Sequence, residues 1–386
     1  MDDKHKIHRS HNVYILGAGF SRDAGLPLIA DFLDQMRESA NWIVDNGTKQ
    51  EVEALQKVFQ FRLRAAGAAY RAYIDVENIE ELFSLASASE RDSDDDYVSR
   101  AIAATLNCAR STKDPRTYKV FVDKTKIEPL PDWQEDKAYG QTAEHGNFIM
   151  SVYDFYAGVL SGLFCTSVPK MRNTVISFNY DTLLEDALYK LRVPYSYRLL
   201  LNGADYHRSA AHIGAALANP SAMHILKLHG SVNWGIKRRS STEFDLSVYS
   251  DYNKLLADDR HPYLLPPTWR KVFAGALASV WNGALEAITE ATRIIIIGFS
   301  MPTTDIHFKY LLAAGLRDNI SLRDLIFINY GDCKALKENI SNVLQPPLSK
   351  KIIWAPKGIQ HTLMDRGFLE SIDRALSPAL GEILPY

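Results

Sequence analysis

Apolar positions near the start of the chain form one short block, residues 13–16, which ends on Gly17-Ala18-Gly19, after which residues 20–36 read as loop and helix. The pattern predicts a strand, a glycine turn and a helix. From Phe32 to about Leu106 the spacing becomes helical, with Ala-rich stretches such as 61–72 and few turn residues, and no strand is expected there. Residues 89–96 are acidic and serine-bearing, and 111–146 mix Lys, Asp, Pro and polar residues without a sustained period, so both read as exposed loops. Helical spacing returns over 147–163. Short strand-like blocks then recur at 174–178, 224–228, 293–297, 325–328 and 351–354, most of them separated by helical segments.

The run Ile294-Ile295-Ile296-Ile297 is uniformly apolar, as expected of a parallel strand covered by helices on both faces, and a helix over 274–292 precedes it. No internal repeat or low-complexity tract is present. These elements predict a doubly wound, Rossmann-like α/β domain with a parallel sheet, built from residues 1–32 and 171–386. A helical insertion domain, 33–170, interrupts it between its first and second strands.

Composition narrows the function classes. A chain of 386 residues with 46% apolar and 23% charged residues is an ordinary folded protein, long enough for two domains. Forty-four Lys and Arg against forty-six Asp and Glu give a net charge of −2, which supplies no electrostatic reason to expect nucleic acid or a membrane surface as the main partner. Cys108, Cys165 and Cys333 are odd in number and widely separated, which suits neither a disulfide framework nor a zinc site of paired cysteines; a reducing cytoplasm fits best. The polar opening Met1-Asp2-Asp3-Lys4-His5-Lys6 is unlike a signal peptide, and no apolar run is long enough to cross a bilayer.

Five strand ends carry polar or glycine motifs. Gly17, Ala18, Gly19, Ser21 and Arg22 follow the first strand, where glycines and a helix N-terminus would let backbone N–H groups meet a pyrophosphate. Arg22 occupies the third glycine of the dehydrogenase fingerprint, which argues against hydride transfer, and the turn also reads as purely structural. Asn179 and Asp181 end the second strand; they could orient a polar ligand, or shape a turn and cap a helix. His229, in Lys227-Leu228-His229-Gly230, is the best general base, since an unperturbed imidazole is largely neutral and proton-accepting at working pH. Gly298 and Ser300, then Asn329, follow two further strands and suit ribose or phosphate contacts.

Taken together, the order and spacing of these motifs resemble the sirtuin family, specifically the bacterial sirtuin-like domains that hydrolyse NAD in anti-phage defence. Gly17-Ala18-Gly19-Phe20-Ser21 resembles its phosphate loop, and Gly25-Leu26-Pro27 its Gly-Ile-Pro. Asn179 and Asp181 fall where its Thr-Gln-Asn-Ile-Asp motif holds nicotinamide-site residues, His229-Gly230 where it holds the catalytic histidine, Gly298 and Ser300 on its Gly-x-Ser, and Asn329 on its adenosine-ribose asparagine. The resemblance covers roughly 12–32 and 174–355. Asp31-Phe32 is a displaced equivalent of the family's Asp-Phe-Arg, and the paired Cys-x-x-Cys of its deacylases is missing, so no zinc is expected.

The resemblance implies NAD as substrate, cleaved between nicotinamide and ribose to give nicotinamide and ADP-ribose. Asn179 and His229 would be catalytic, and the other named residues would bind the dinucleotide. It also implies a homo-oligomer and, as in some members, a ring-forming HerA-class ATPase as partner. An NAD-dependent protein deacylase and a non-catalytic NAD or ADP-ribose sensor are the alternatives.

Overall fold

The computed structural model describes residues 10–89, 97–126, 134–135, 145–165, 172–201, 205–238, 244–267, 276–301, 306–330, 334–341, 344, 352–355, 358–371 and 380–385. Its strands are β1 (His11–Leu16), β2 (Thr117–Asp123), β3 (Gln134–Glu135), β4 (His145–Ser151), β5 (Arg172–Ser177), β6 (Tyr195–Ser196), β7 (Met223–Lys227), β8 (Gly230–Arg238), β9 (Phe244–Val248), β10 (His261–Leu264), β11 (Arg293–Ile297), β12 (Asp324–Ile328), β13 (Ile352–Ala355) and β14 (Leu380–Pro385). Seven of these form one parallel sheet in the order β13-β12-β11-β1-β5-β7-β6. This is the expected doubly wound α/β fold. The chain adds strands to one side of β1, then crosses to the other side at β11, which places the topological switch point between β1 and β11.

Burial explains why these segments are central strands. Every residue of β1 and of β11 is buried, so both faces of the sheet centre are covered; the apolar runs Val13–Leu16 and Ile294–Ile297 fill it, and the buried polar residues His11, Asn12 and Arg293 stand at the N-terminal ends of the two strands. Tyr14 sits between Val175 and Ile295 in register. The ladder continues past the strand ends, where the Gly17 amide donates to Ile297 O (3.0 Å), Phe178 to Leu16 O (2.9 Å) and Gly298 to Ile328 O (2.9 Å).

At the switch point, backbone meets backbone. The Gly19 amide donates to Gly298 O at 2.8 Å. A Cβ on Gly17 would lie 2.6 Å from Phe299 Cα, and one on Gly298 only 2.3 Å from the Phe20 nitrogen. Gly298 also has φ +61°, in the left-handed region that glycine enters at least cost.

Between β1 and β5 lie α1 (Phe32–Glu38), α2 (Ala40–Asn46), α3 (Lys49–Ala72), α4 (Ile79–Ser89), α5 (Tyr97–Thr112) and α6 (Val152–Ser161). Alanines over 101–104 are small enough to let α5 sink into the core; Ala101, Ile102, Ala103 and Ala104 are all buried. α3 opens on a capping box, in which Glu51 Oε2 accepts from the Thr48 amide (2.7 Å) and the Glu51 amide donates to Thr48 Oγ1 (3.3 Å). The other oxygen of this buried carboxylate accepts from Tyr252 Oη at 3.0 Å, tying the helices to the later half of the chain.

Two readings of the sequence need correction. The region expected as loops, 111–146, contains β2 and the start of β4, and the helix expected over 147–163 begins only at Val152. Burial alternates along β4, with Gly146, Phe148 and Met150 inward, and on β2 Tyr118, Val120 and Val122 point inward. That is a period of two, hidden in the sequence by Lys119, Phe121 and Asn147 on the other face. β4 pairs antiparallel with β2 and β3, and β14 pairs with β2, so the segment between β1 and β5 is not wholly helical. α6 starts where Ser151 and Asp154 form a reciprocal capping box, and Gly162 at φ +86° ends it. Residues 90–96 and 351, included in the expected loop and last strand, lie outside the described residues, as does Cys333.

Two outcomes follow for stability. Gly298→Ala should destabilise the fold by about 1–3 kcal/mol, the usual range for overpacking. Gly67→Ala, in mid-α3 with nothing within 4 Å of the added carbon, should stabilise it by up to about 1 kcal/mol. Denaturant midpoints on the two variants check both signs. His224 on β7 offers a pH test, because burial, and then Arg198 and Arg172, push its imidazole down to about 4. The unfolded chain, titrating near 6.5, therefore holds more protons between these values, so stability is complete above pH 6.5 and falls as pH drops toward 4. His224→Gln should flatten that part of a melting-temperature profile.

Candidate active site

The carboxyl ends of β12, β11, β1, β5 and β7 open on one cavity of about 410 Å³, within the size range of small-molecule sites. Ala18, Gly19 and Ser21 line it from β1, Phe178 to Asp181 from β5, His229 from β7, Gly298 to Ser300 from β11, and Asn329 from β12. All five strand-end motifs thus meet in one place, because a wholly parallel sheet puts every carboxyl end on the same edge.

Gly17 and Arg22, both expected to bind the dinucleotide, do not line the cavity. Gly17 lies behind the loop, packed on Phe299, and Arg22 is exposed. Residues 20–36, expected as loop and helix, open on a tighter segment than a loop. It is a 3-10 turn, Ala18–Ala24, closed by Gly25, and the first α-helix begins at Phe32. Any N-terminal partial charge near Gly19 therefore comes from a short turn and not from α1. The glycines of the loop also serve a different need: their missing side chains admit the β11 backbone.

A hydrogen-bonded chain fixes the polar groups. Asn179 Nδ2 donates to Gly17 O and to Ser21 Oγ, both at 2.9 Å, and Ser21 Oγ donates to Asp181 Oδ2 at 2.7 Å. Asp181 Oδ1 accepts from the Leu183 amide at 3.1 Å, at the start of α7 (Leu183–Lys190). Both amide hydrogens of Asn179 are committed in this way, so it meets a ligand only as an acceptor, through Oδ1. His229, 7% exposed, packs edge-on against Phe178 with ring centroids 5.1 Å apart, and Phe178 stacks on Phe299 at 4.4 Å. The imidazole therefore sits on a rigid aromatic floor that joins the ends of β5 and β11.

The rest of the lining is mostly apolar: Leu26, Pro27 and Ile29, with Phe32, Ile79, Ile102 and Leu106 from α1, α4 and α5, while Asn78 and Glu80 are its polar members. Asp31, the displaced equivalent of a family motif, accepts from the Leu28 amide at 2.8 Å and does not line the cavity, whereas Phe32 does.

Sequence reasoning missed the groups that hold the loop. Tyr153 of α6 donates from Oη to Phe20 O (2.9 Å) and accepts from the Ala24 amide (3.2 Å), clamping both ends of the turn. Burial, then Asp181 and Asp23, raise its pKa well above that of an ordinary tyrosine, so the hydroxyl stays protonated and able to donate. On the outer side, Asp23 accepts from Tyr156 Oη (3.1 Å) and Tyr330 Oη (2.9 Å), so the residue after Asn329 also grips the loop. Lys227, 1% exposed at the end of β7, donates to the Tyr180 and Asp181 carbonyls and to Glu185. An isolated aromatic or lysine at such positions carries no sequence signal, because its partners lie up to 307 residues away. Among the described residues, no group of three or more His, Cys, Asp or Glu side chains is placed to hold a metal ion.

Residues 173–345 match the family model of the SIR2-like domain. That span begins within β5 and contains β11 and β12, so the Asn179, Asp181, His229, Gly298, Ser300 and Asn329 positions fall inside it and the glycine loop after β1 falls outside. No curated protein matches the chain. Among solved structures, Sir2Tm bound to a propionylated peptide is 11% identical, with 94% of this chain and 93% of that chain covered at a TM-score of 0.37. A Sir2 complex with p53 peptide and NAD+ is 12% identical over 94% and 93%, also at 0.37. A mutant Sir2 homologue in complex with 2'-O-acetyl ADP ribose is 13% identical over 96% and 98%, at 0.38.

Tyr153→Phe tests the clamp. Losing the hydroxyl leaves the Phe20 carbonyl and the Ala24 amide without this partner, which should cost about 1–3 kcal/mol. Equilibrium unfolding in urea measures it, and an unchanged midpoint would mean that the loop holds itself.

Proposed function

We propose that the chain is an NAD glycohydrolase that cleaves the nicotinamide–ribose bond to release nicotinamide and ADP-ribose. The observation that carries this reading is the convergence of a glycine loop, the Asn179–Ser21–Asp181 chain and His229 on one cavity at the switch point of the sheet. The residues fit a dinucleotide: loop backbone for phosphates, Ser300 and Asn329 for ribose hydroxyls, and a committed Asn179 offering Oδ1 to a hydroxyl or a water. NAD, when bound, supplies its own leaving group, since nicotinamide departs as a neutral ring.

The protein's work is then orientation and proton handling. Asn179 Oδ1 positions the attacking water or a ribose hydroxyl, Asp181 receives the carboxamide, and the His229 imidazole accepts the proton released on attack. The apolar wall excludes bulk water from this side. The same wall favours a second reading, an NAD-dependent deacylase in which an aliphatic acyl group lies against Ile102 and Leu106.

The reading extends to the whole chain. Residues 1–32 and 171–386 form one discontinuous NAD-binding domain, whose last strand, β14, reaches across to pair with β2, and 33–170 an insertion, which gates the cavity through self-association or a HerA-class ATPase. The protein works in the cytoplasm in anti-phage defence and needs no zinc.

Nicotinamide release from NAD tests the central claim. His229→Ala should lower the rate about 10²- to 10⁴-fold, as loss of a general base does, with its melting curve intact. Asn179→Ala should lose activity and also stability, because the amide bridges Gly17 and Ser21. Full activity in His229→Ala rules out the assigned base, and peptide deacylation without free NAD hydrolysis favours the second reading.

A further inference from the structure

Lys227 and Glu185 form a buried ion pair directly beneath the site, with Nζ to Oε1 at 3.0 Å and side-chain exposures of 1% and 5%. Burying two charges is costly, and apolar residues of similar volume usually serve stability as well or better, so stability alone does not account for the pair. The ammonium has further acceptors. It donates to the Asp181 carbonyl and, at 3.4 Å, to the Tyr180 carbonyl. These two carbonyls belong to the segment that delivers Asn179 to Gly17 and Asp181 to Ser21.

The surroundings are organised around the same contacts. Tyr180 O also accepts from the Val232 amide (3.0 Å) and from Ser231 Oγ (3.3 Å). The single Ser231 hydroxyl hydrogen is shared with Asn233 Oδ1, the shorter contact at 2.6 Å; Asn233 Nδ2 donates to Tyr197 Oη (3.2 Å), and Tyr197 Oη donates to Glu185 Oε1 (3.3 Å). Burial raises the Glu185 pKa, and the adjacent Lys227 counters it. The first turn of α7 is thus anchored to β7 through the Lys227 ammonium, and to β8 through the Tyr180 carbonyl and the Asn233–Tyr197–Glu185 contacts.

We propose that Lys227 is a positioning residue of the active site: by holding the Tyr180 and Asp181 carbonyls, its ammonium fixes the Asn179–Asp181 segment in the geometry that bonds Asp181 to Ser21. Glu185 keeps that ammonium in place. Lys227 itself does not line the cavity, so it acts through the backbone and not on the substrate. The catalytic part of this proposal rests on the glycohydrolase reading; the structural part does not.

The test compares wild type, Lys227→Met, and the double variant Lys227→Met/Glu185→Gln, which removes both charges at nearly constant volume. Lys227→Met alone strands a buried carboxylate and should melt early. The double variant should regain the wild-type melting temperature while its nicotinamide-release kcat stays about 10²-fold down, the scale of a misplaced catalytic group, with affinity for NAD in calorimetry within a few-fold of wild type. Hydrogen exchange gives a reading independent of activity: the Asn179 and Leu183 amides should exchange about tenfold faster or more in the double variant, with β5 and β7 unchanged. A double variant with wild-type exchange at those amides overturns the proposal whatever its activity. A wild type that releases no nicotinamide sinks the glycohydrolase reading instead, and the exchange result still decides whether Lys227 positions the segment. A double variant with wild-type kcat overturns the catalytic role directly.

Discussion

The structure depends on one close approach, the docking of the turn after β1 against the turn after β11. These are the strands on either side of the switch point, and their backbones touch with no side chain between them. Everything at the site is measured from that contact. Gly17, whose carbonyl accepts from Asn179, is held there by the hydrogen bond its N–H donates to Ile297 O, and Phe299, which stacks under His229's neighbour Phe178, follows Gly298 directly. A larger residue at any of these positions would part the two turns and move partners drawn from β5 and β7 as well.

Around this contact the loop is also held by long-range tyrosine hydroxyls. Tyr153 and Tyr156 come from α6, and Tyr330 from beyond β12, so an inserted element and a distant strand end share the task. The division of the cavity follows from this. Its polar wall comes from turns of the sheet and its apolar wall from helices between β1 and β5. Helices that pack as α1, α4 and α5 do against the core reach the cavity as a matter of course, because β1 delivers the chain to its rim.

The central strands of the sheet were legible in the sequence, whereas β6, buried but only two residues long, was not. The Val13–Leu16 and Ile294–Ile297 runs announced themselves because central parallel strands admit only apolar residues on both faces. The strand-end motifs were legible for a related reason, since glycine and short polar residues interrupt such runs abruptly. β2 and β4 were not, because a half-exposed strand with Lys119 and Phe121 outward resembles a polar loop in any short window. Tyr153 and Lys227 were invisible as site residues. One reads as an aromatic on a buried helix and the other as the last residue of a strand, and only the fold supplies the partners that give each a task.

The position of β1 has a consequence for biosynthesis. Of the strands of this sheet the central one comes first in the chain, yet its neighbour on one side is β5 and on the other β11, and the His11 N–H donates to Thr292 Oγ1 across 281 residues of chain. Until Ile297 has emerged, a six-residue strand carrying the apolar run Val13–Leu16 must wait with one edge unpaired while about six helices form between it and its first partner. Such a topology folds late and leaves a template for intermolecular pairing during synthesis. The α1–α5 helices, which pack into the same core immediately after β1, are the part of the nascent chain able to cover it in the meantime.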